Sequence, residues 1–182
     1  MPKIMKTVAV AAPVLTAVFA VLYQFFPLGV YLSLAITFGT IAYHFVMRLI
    51  VGLVYHVTMR NRANYNAAYF RQRPWEKKLY QALHVKQWKG KMPTYSPENF
   101  DPTRHSWDEI AQAMCQAELV HETIILLSFL PLLAAIPFGD FRVFFFTSLG
   151  GALFDGFFVI MQRFNRPRVV KMAEREKRNR KA

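Results

Sequence analysis

The chain has 182 residues, of which 54% are hydrophobic and 15% are aromatic, and its mean hydropathy is +0.17. A soluble domain of this length is seldom so apolar. The excess of 23 Lys and Arg over 11 Asp and Glu accompanies long uncharged runs, which favours a membrane protein with basic cytoplasmic segments over a nucleic-acid-binding protein.

Four apolar segments each approach or exceed the roughly 20 residues needed to cross a bilayer. They cover residues 8–26, 28–53, 119–138 and 143–161. The first follows Lys3 and Lys6, as in a signal peptide, but bulky residues replace the small residues of a cleavage site, so we expect a retained span. Little more than Pro27 separates the first two segments, which leaves a re-entrant pair as an alternative to two spans. We therefore predict an all-α integral membrane protein with about four transmembrane helices in one membrane domain.

The basic residues predict the orientation of these spans. Residues 56–117 contain ten Lys and Arg, and the tail 163–182 contains nine. The first connection is uncharged, and the third carries one charge of each sign, on Asp140 and Arg142. Because basic loops stay in the cytoplasm, we expect a multi-pass protein of the cell membrane with the loop 56–117 and both termini inside.

The cytoplasmic loop is predicted to be partly helical. Trp75, Leu79 and Leu83 recur at helical spacing, so this helix either lies on the membrane surface or packs on the other helices. A basic cluster around a tryptophan follows at residues 86–91. By its charge it favours lipid headgroups, and it also suits the phosphates of a nucleotide-bearing donor.

The next predicted helix starts at Ser106, because Glu109 three residues later completes a capping box. The helix runs into the third apolar segment and carries Glu118 and His121 to the cytoplasmic boundary, one turn apart on one face. A carboxylate beside an imidazole can orient it as a general base. The simpler alternative is that Glu118 and His121 are ordinary polar residues at the membrane boundary and have no catalytic role.

We expect no bound metal or cofactor. A di-iron site made from Glu-x-x-His needs a second copy of the motif, and the chain has one. The histidines are scattered, whereas a desaturase would need them in pairs. The single cysteine, Cys115, excludes an intrachain disulfide and a zinc site built from cysteines.

Asp155 lies deep in the fourth apolar segment, where an unpaired carboxylate is costly. It needs a partner, for which His44, Arg48 and a substrate group are the candidates. The chain then reads Gln-Arg-Phe-Asn-Arg-Pro-Arg at residues 162–168. This predicted turn offers forked donors and an amide to a phosphate, carboxylate or carbonyl, with headgroup anchoring as the alternative. The basic tail after Lys171 is expected to be a frayed helix attracted to anionic lipid.

Four of these segments together resemble a bacterial family, the glycosyl-4,4'-diaponeurosporenoate acyltransferases. They are residues 88–91, 100–101, 117–121 and, most specifically, 162–168. The family consists of small membrane proteins and includes the last enzyme of staphyloxanthin synthesis, a carotenoid pathway. The resemblance implies transfer of a fatty acyl group to a hydroxyl of a membrane glycolipid or glycosylated isoprenoid. It also implies acyl-CoA or another acyl donor as co-substrate, and membrane lipids and a lipid-linked acceptor as partners.

The resemblance implies roles for individual residues. His121, oriented by Glu118, would remove the proton from the acceptor hydroxyl. Asn165 and Arg166, with Arg163, would stabilise the oxyanion or clamp the polar head of the acceptor. The residues expected to engage the donor's phosphates are Trp88, Lys89 and Lys91. Further substrate-binding residues are Asp155, Gln162 and Arg168.

A non-enzymatic lipid-binding or transporter-accessory protein is the alternative function. It explains the spans, the basic loop and the tail equally well. It does not explain why Glu118, His121 and the pair Asn165 and Arg166 are all expected at one membrane boundary. A nucleic-acid partner is not expected, because no folded basic domain surrounds the tail. The sequence indicates no oligomeric state.

Overall fold

The computed structural model describes residues 2–139 and 141–180. Helix accounts for 82% of the structure, and these ranges contain no strand. Four helical segments are long and apolar enough to cross a membrane, which confirms the predicted all-α fold with four transmembrane helices. Asp140, expected to supply one charge of the third connection, and residues 181–182 of the basic tail lie outside the described residues.

Seven α-helices and four short 3₁₀ segments make up the described part of the chain. The α-helices are α1 (Pro2–Phe25), α2 (Gly29–Met59), α3 (Pro74–Ala82), α4 (Val85–Trp88), α5 (Trp107–Leu127), α6 (Ala135–Phe138) and α7 (Phe141–Asn179). The 3₁₀ segments are Ala68–Phe70, Lys89–Lys91, Pro97–Phe100 and Leu130–Ala134.

Helices α1 and α2 form an antiparallel hairpin at one side of the molecule. Phe19 and Phe38 stack across it with ring centroids 5.6 Å apart. Gly39 faces Thr16 of α1, and a Cβ there would make an ordinary contact with the Thr16 methyl carbon at 3.5 Å. Most of α1 stays exposed, as expected for an apolar helix that faces lipid. Each helix is long enough to cross the hydrocarbon by itself, which favours two spans over a re-entrant pair.

Helices α5 and α7 run antiparallel and form the centre of the protein. Ser106 begins α5 with the predicted capping box, in which the Ser106 hydroxyl accepts from the Glu109 backbone N–H and the Glu109 carboxylate accepts from the Ser106 backbone N–H. The third span is α-helical to Leu127 and then continues as 3₁₀ and short α-helical segments to Phe138. Helix α2 packs on α5 through two hydroxyls, with Tyr43 donating to the Leu127 carbonyl at 2.7 Å and Tyr55 bonded to Thr123 at 2.9 Å.

Helix α7 passes through residues 162–168 without a break. The expected Asn-Arg-Pro-Arg turn is therefore wrong, since Pro167 lies inside the helix. Proline removes one backbone donor, but the ion pairs made by Arg163 and Arg166 hold this part of α7 against its neighbours. The expected frayed tail is also helical, up to Asn179. These arginines consequently follow helical spacing on one continuous face.

The loop between α2 and α5 folds back onto the ends of α5 and α7. Arg60 and Asn61 adopt positive φ angles of 49° and 57°, which turn the chain, and the Asn61 amide donates to the Gln116 side chain at 2.7 Å. Phe70 is buried beside Cys115. The predicted helix around Trp75 is α3, and its stripe of Trp75, Leu79 and Leu83 is exposed. That exposure favours the membrane surface over packing on the other helices.

Candidate active site

A histidine and an aspartate meet where α5 crosses α7. His121 Nδ1 lies 2.8 Å from Asp155 Oδ1. The imidazole stacks on Phe158 with ring centroids 4.5 Å apart and planes 6° apart. Asp155 and Phe158 are three residues apart on α7, so that helix supplies both the hydrogen bond and the stacking surface. The side chain of His121 keeps 22% of its surface exposed, whereas that of Asp155 keeps 2%.

Arg48 of α2 balances the buried charge of Asp155. Its Nη2 donates to Asp155 Oδ2 at 2.5 Å and to the Gly151 carbonyl at 3.4 Å, and its Nη1 donates to the His44 carbonyl at 2.9 Å. A Cβ at Gly151 would lie 3.3 Å from the His44 ring, so any other residue there would require that ring to shift by a few tenths of an ångström. Of the partners considered for Asp155 from sequence, the structure therefore selects Arg48. The second partner, His121, was not among them.

The pair has the geometry of a general base and its orienting carboxylate. An ionised carboxylate only accepts hydrogen bonds, so a neutral His121 must carry its proton on Nδ1. Nε2 is then the basic nitrogen, and it makes no hydrogen bond within residues 2–139 and 141–180. The same division of roles operates in His-Asp pairs of acyl-transfer enzymes. The arrangement is thus chemically able to take a proton from a hydroxyl held at Nε2.

Glu118 does not orient His121, and that expectation is wrong. Its side chain is fully buried and forms ion pairs with two arginines of α7. Arg163 Nη1 donates to Oε1 at 2.5 Å, and Arg166 Nη1 donates to Oε2. Glu118 and His121 are neighbours along α5, but the two guanidinium groups attract the carboxylate, and the imidazole faces Asp155 instead.

A second carboxylate, Glu76 of α3, completes this buried cluster. Arg163 donates to Glu76 Oε1 from Nη2 at 2.6 Å, and the Tyr80 hydroxyl donates to Oε2 at 2.7 Å. Burial acts to raise the pKa of Glu76, but the hydrogen bonds from Arg163 and Tyr80 outweigh it and hold the pKa below the usual range. The formal charges of Glu76, Glu118, Arg163 and Arg166 cancel. Such a cluster can remain ionised in a dry setting only because every member is paired.

Burial also affects the two tyrosines at this end of the molecule. Burial and the neighbouring Glu76 raise the pKa of Tyr80. Partial burial, followed by the hydrogen bond that the Tyr69 hydroxyl donates to Glu122, raises the pKa of Tyr69 to about 12. Both tyrosines therefore stay protonated and act as hydrogen-bond donors, Tyr69 from the loop to Glu122 of α5 and Tyr80 to Glu76 within α3.

The sequence analysis did not predict the roles of Glu76 and Tyr80 or the pairing of Asp155 with His121. Glu76 and Tyr80 stand four residues apart, which is the spacing of side chains that meet on one helix face. The prediction of α3 used the apolar stripe on one face of the helix and did not consider the spacing of Glu76 and Tyr80 on another face. The buried carboxylates pair with the arginines of residues 162–168. The sequence alone does not show which carboxylate contacts which arginine.

Lys89 and Asn165 meet as members of the predicted site. Lys89 Nζ donates to Asn165 Oδ1 at 2.5 Å and lies 4.6 Å from the Phe164 ring centroid. Trp88 donates from Nε1 to the Leu83 carbonyl at 2.9 Å and packs edge-on against Phe157. The segment with Trp88 and Lys89 is thus held against α7.

The other predicted substrate-binding residues divide by exposure. Lys91 is exposed and forms no ion pair within the described ranges. Arg168 is exposed and Gln162 is buried, and both line a cavity beside α5. Arg163 and Arg166 contact carboxylates of the protein, so their contact with an oxyanion or an acceptor stays a prediction. No group of three or more His, Cys, Asp or Glu side chains in the described residues has an arrangement able to hold a metal ion.

Comparison with known proteins identifies one family. The model of the glycosyl-4,4'-diaponeurosporenoate acyltransferases matches residues 66–175, which is more than half of the chain. The matched range contains His121, Asp155 and the whole ion cluster, and it leaves out Arg48. Comparisons with curated proteins and with solved structures give no match.

Proposed function

The chain belongs to the glycosyl-4,4'-diaponeurosporenoate acyltransferase family, and on that premise we propose that it transfers a fatty acyl group to a hydroxyl of a membrane glycolipid or glycosylated isoprenoid. Family membership makes it an enzyme, an acyltransferase of the staphyloxanthin pathway that uses an acyl donor and a lipid-type acceptor. The non-enzymatic alternative is thereby removed.

One observation carries the proposal, namely the hydrogen bond between His121 Nδ1 and Asp155 Oδ1. Nε2 takes the proton from the acceptor hydroxyl as its oxygen attacks the acyl carbonyl of the donor. A new C–O bond forms, and the carbonyl becomes a tetrahedral oxyanion. When the oxyanion collapses, the bond to the donor's leaving group breaks, and the protonated imidazole returns its proton to that group.

Asp155 stabilises the imidazolium that forms during this step, because a negative charge lies against Nδ1–H. Arg48 is a positioning residue, because its hydrogen bonds to the Asp155 carboxylate and to two backbone carbonyls fix that carboxylate beside His121. Glu118 also acts as a positioning residue, since it holds Arg163 and Arg166 in place. Asn165 accepts from Lys89 through Oδ1, which leaves its NH₂ group as a neutral donor, and we assign that group to the oxyanion or to the acceptor's polar head.

The donor's phosphates contact the basic segment that contains Trp88, Lys89 and Lys91. The apolar helices accommodate the acyl chain and the acceptor's lipid tail. The protein spans the bacterial cell membrane several times, with the loop 56–117 and both ends in the cytoplasm, as the basic residues predict. No cofactor takes part, and the acyl donor, acyl-CoA or another, is a co-substrate.

Replacement of His121 by alanine tests the proposed base. Membranes with the His121→Ala variant are expected to lose acyl transfer by about 10³-fold or more, since removal of one member of a catalytic unit abolishes most of its effect. Lipid mass spectrometry of cells, with and without the gene, identifies the acylated product and thereby the acceptor. His56→Gln is the matched control, because His56 is exposed near the end of α2. Near-normal turnover by His121→Ala rules out this role for His121.

A further inference from the structure

A cavity lies between the Pro97–Phe100 segment, the start of α5 and the cytoplasmic part of α7. Its volume is about 320 Å³. Apolar side chains from all three segments line it, among them Phe100, Ile110, Met114 and Met161. The polar lining comes from Thr94 and from residues 162, 165 and 168 of α7. One wall thus suits a hydrocarbon or ring, and the opposite edge suits a polar group.

Gln162 is a buried amide that faces this cavity without a partner. The residue is 7% exposed, and its side chain makes no hydrogen bond to any residue of the ranges 2–139 and 141–180. Its amide atoms stay accessible from the cavity, since the buried side-chain atoms without a partner in the described residues belong to His44 and Ser148. A carboxamide carries both donors and an acceptor, so a ligand with a carbonyl, amide or hydroxyl group would satisfy it.

The rim of the cavity is cationic. Arg168 lines it, and Lys89 reaches it through the hydrogen bond to Asn165. Burial, together with the nearby charges of Arg168 and Lys86, lowers the pKa of Lys89. Within the described residues neither Lys89 nor Arg168 forms an ion pair, and none of the lining residues is acidic. Two cations left close together and unneutralised favour an anionic group.

The cavity and the proposed catalytic pair lie along the same two helices, α5 and α7. Met114 and His121 are seven residues apart on α5, and Asp155 and Gln162 are seven residues apart on α7. At the rise of an α-helix this separation is roughly 10 Å along both helices. A ligand anchored in the cavity can therefore extend toward Nε2 of His121.

We propose that this cavity binds the phosphate-bearing head of the acyl donor, with Arg168 and Lys89 at the phosphate and Gln162 at a carbonyl or amide next to it. The donor role rests on the proposed function, whereas the binding of an anionic amphiphile does not. Two kinds of ligand carry such a phosphate group. One is coenzyme A, and the other is an anionic phospholipid.

Binding measurements on the full chain, without turnover, test this site. In the first arm coenzyme A is titrated calorimetrically into protein in a neutral detergent. In the second arm fluorescent phosphatidylglycerol is titrated into protein in phosphatidylcholine nanodiscs. The variants are Arg168→Gln and Gln162→Met, which keeps the volume of the side chain. The matched control is Arg178→Gln, with the same charge change at an exposed position farther along α7.

Arg168→Gln and Gln162→Met are expected to weaken one of the two probes by about tenfold or more, because each removes a hydrogen bond to a buried or charged group. Weakening of coenzyme A binding assigns a thioester donor, and weakening of phosphatidylglycerol binding assigns a phospholipid. Arg178→Gln should bind both probes as the wild type does. Arg168 is exposed, so its substitution reports on binding even if Gln162→Met is destabilised.

Two results overturn the inference. One is that neither probe binds the wild-type chain, and the other is that Arg168→Gln and Gln162→Met match Arg178→Gln in both arms. A different result contradicts the proposed function, namely a normal rate of acyl transfer by the His121→Ala variant. A chain whose probe binding depends on Arg168 but whose turnover does not depend on His121 would keep the anion site and lose the proposed catalytic base.

Discussion

Replacing Asp155 with asparagine is expected to lower the acyl-transfer rate by about 10³–10⁴-fold, the size of the effect when a catalytic His-Asp pair loses its carboxylate to an amide. The Asp155 carboxylate accepts Nδ1–H of His121 at 2.8 Å, which leaves Nε2 basic. An asparagine can donate its NH₂ to Nδ1 instead, and the ring proton then occupies Nε2. The volume of the side chain is unchanged, so the loss reports on the tautomer and the charge.

The same substitution also affects stability, because Arg48 loses its ion-pair partner. Removal of one partner of a buried pair costs about 3–5 kcal/mol. Arg48 retains two backbone acceptors, the His44 and Gly151 carbonyls, and 13% of its side-chain surface is exposed. We therefore expect a cost at the lower end of that range. Arg48→Met provides the comparison, since it disturbs the ion pair but leaves the hydrogen bond between Asp155 and His121.

The assay measures initial rates of acyl transfer in membranes over a range of acceptor concentrations, with thermal unfolding in detergent as the measure of folded protein. Asp155→Asn should lower kcat with little change in KM, and the double variant with His121→Ala should be no slower than His121→Ala alone. A rate for Asp155→Asn within tenfold of the wild type would refute the reasoning. A double variant whose rate loss equals the product of the losses in Asp155→Asn and His121→Ala would also refute it.

Three further predictions concern the buried cluster and the start of α5. Glu118→Gln leaves Arg163 and Arg166 with one carboxylate between them and should destabilise the protein by about 3–5 kcal/mol; an unchanged melting temperature would contradict the role assigned to Glu118. The pKa of Glu76 is lowered in the folded protein, so its stabilisation is present above the ordinary carboxyl pKa of about 4.3 and is lost as the pH falls through the folded value. The difference in melting temperature between the wild type and Glu76→Gln should accordingly hold from pH 7 to about pH 5 and shrink below about pH 4, and a difference that grows toward acid would show the sign to be wrong. Ser106→Ala removes the N-cap and should cost about 1 kcal/mol, measured as a lower melting temperature with kcat unchanged.

Some features of the protein could be predicted because they depend on local spacing. The helix start at Ser106 depends on a carboxylate three residues later, and both partners lie in one turn. The four spans follow from the length and hydropathy of continuous segments. The expected turn at residues 162–168 failed because Pro167 was given its usual weight as a helix breaker. The two arginines before Pro167, Arg163 and Arg166, are held by Glu118 and Glu76, and these distant contacts help to keep the segment helical.

The sequence by itself determined the helical membrane class, the family and the set of polar residues around the candidate site. Only the tertiary structure decided which carboxylate contacts which arginine or histidine. His121 has Glu118 one turn away on its own helix, yet its hydrogen bond goes to Asp155, which is 34 residues away in the chain. Helical periodicity specifies neighbours within one helix. The register between α5 and α7 depends instead on how their side chains pack and on how the buried charges cancel. That register pairs Glu118 with Arg163 and Arg166, and it brings His121 to Asp155.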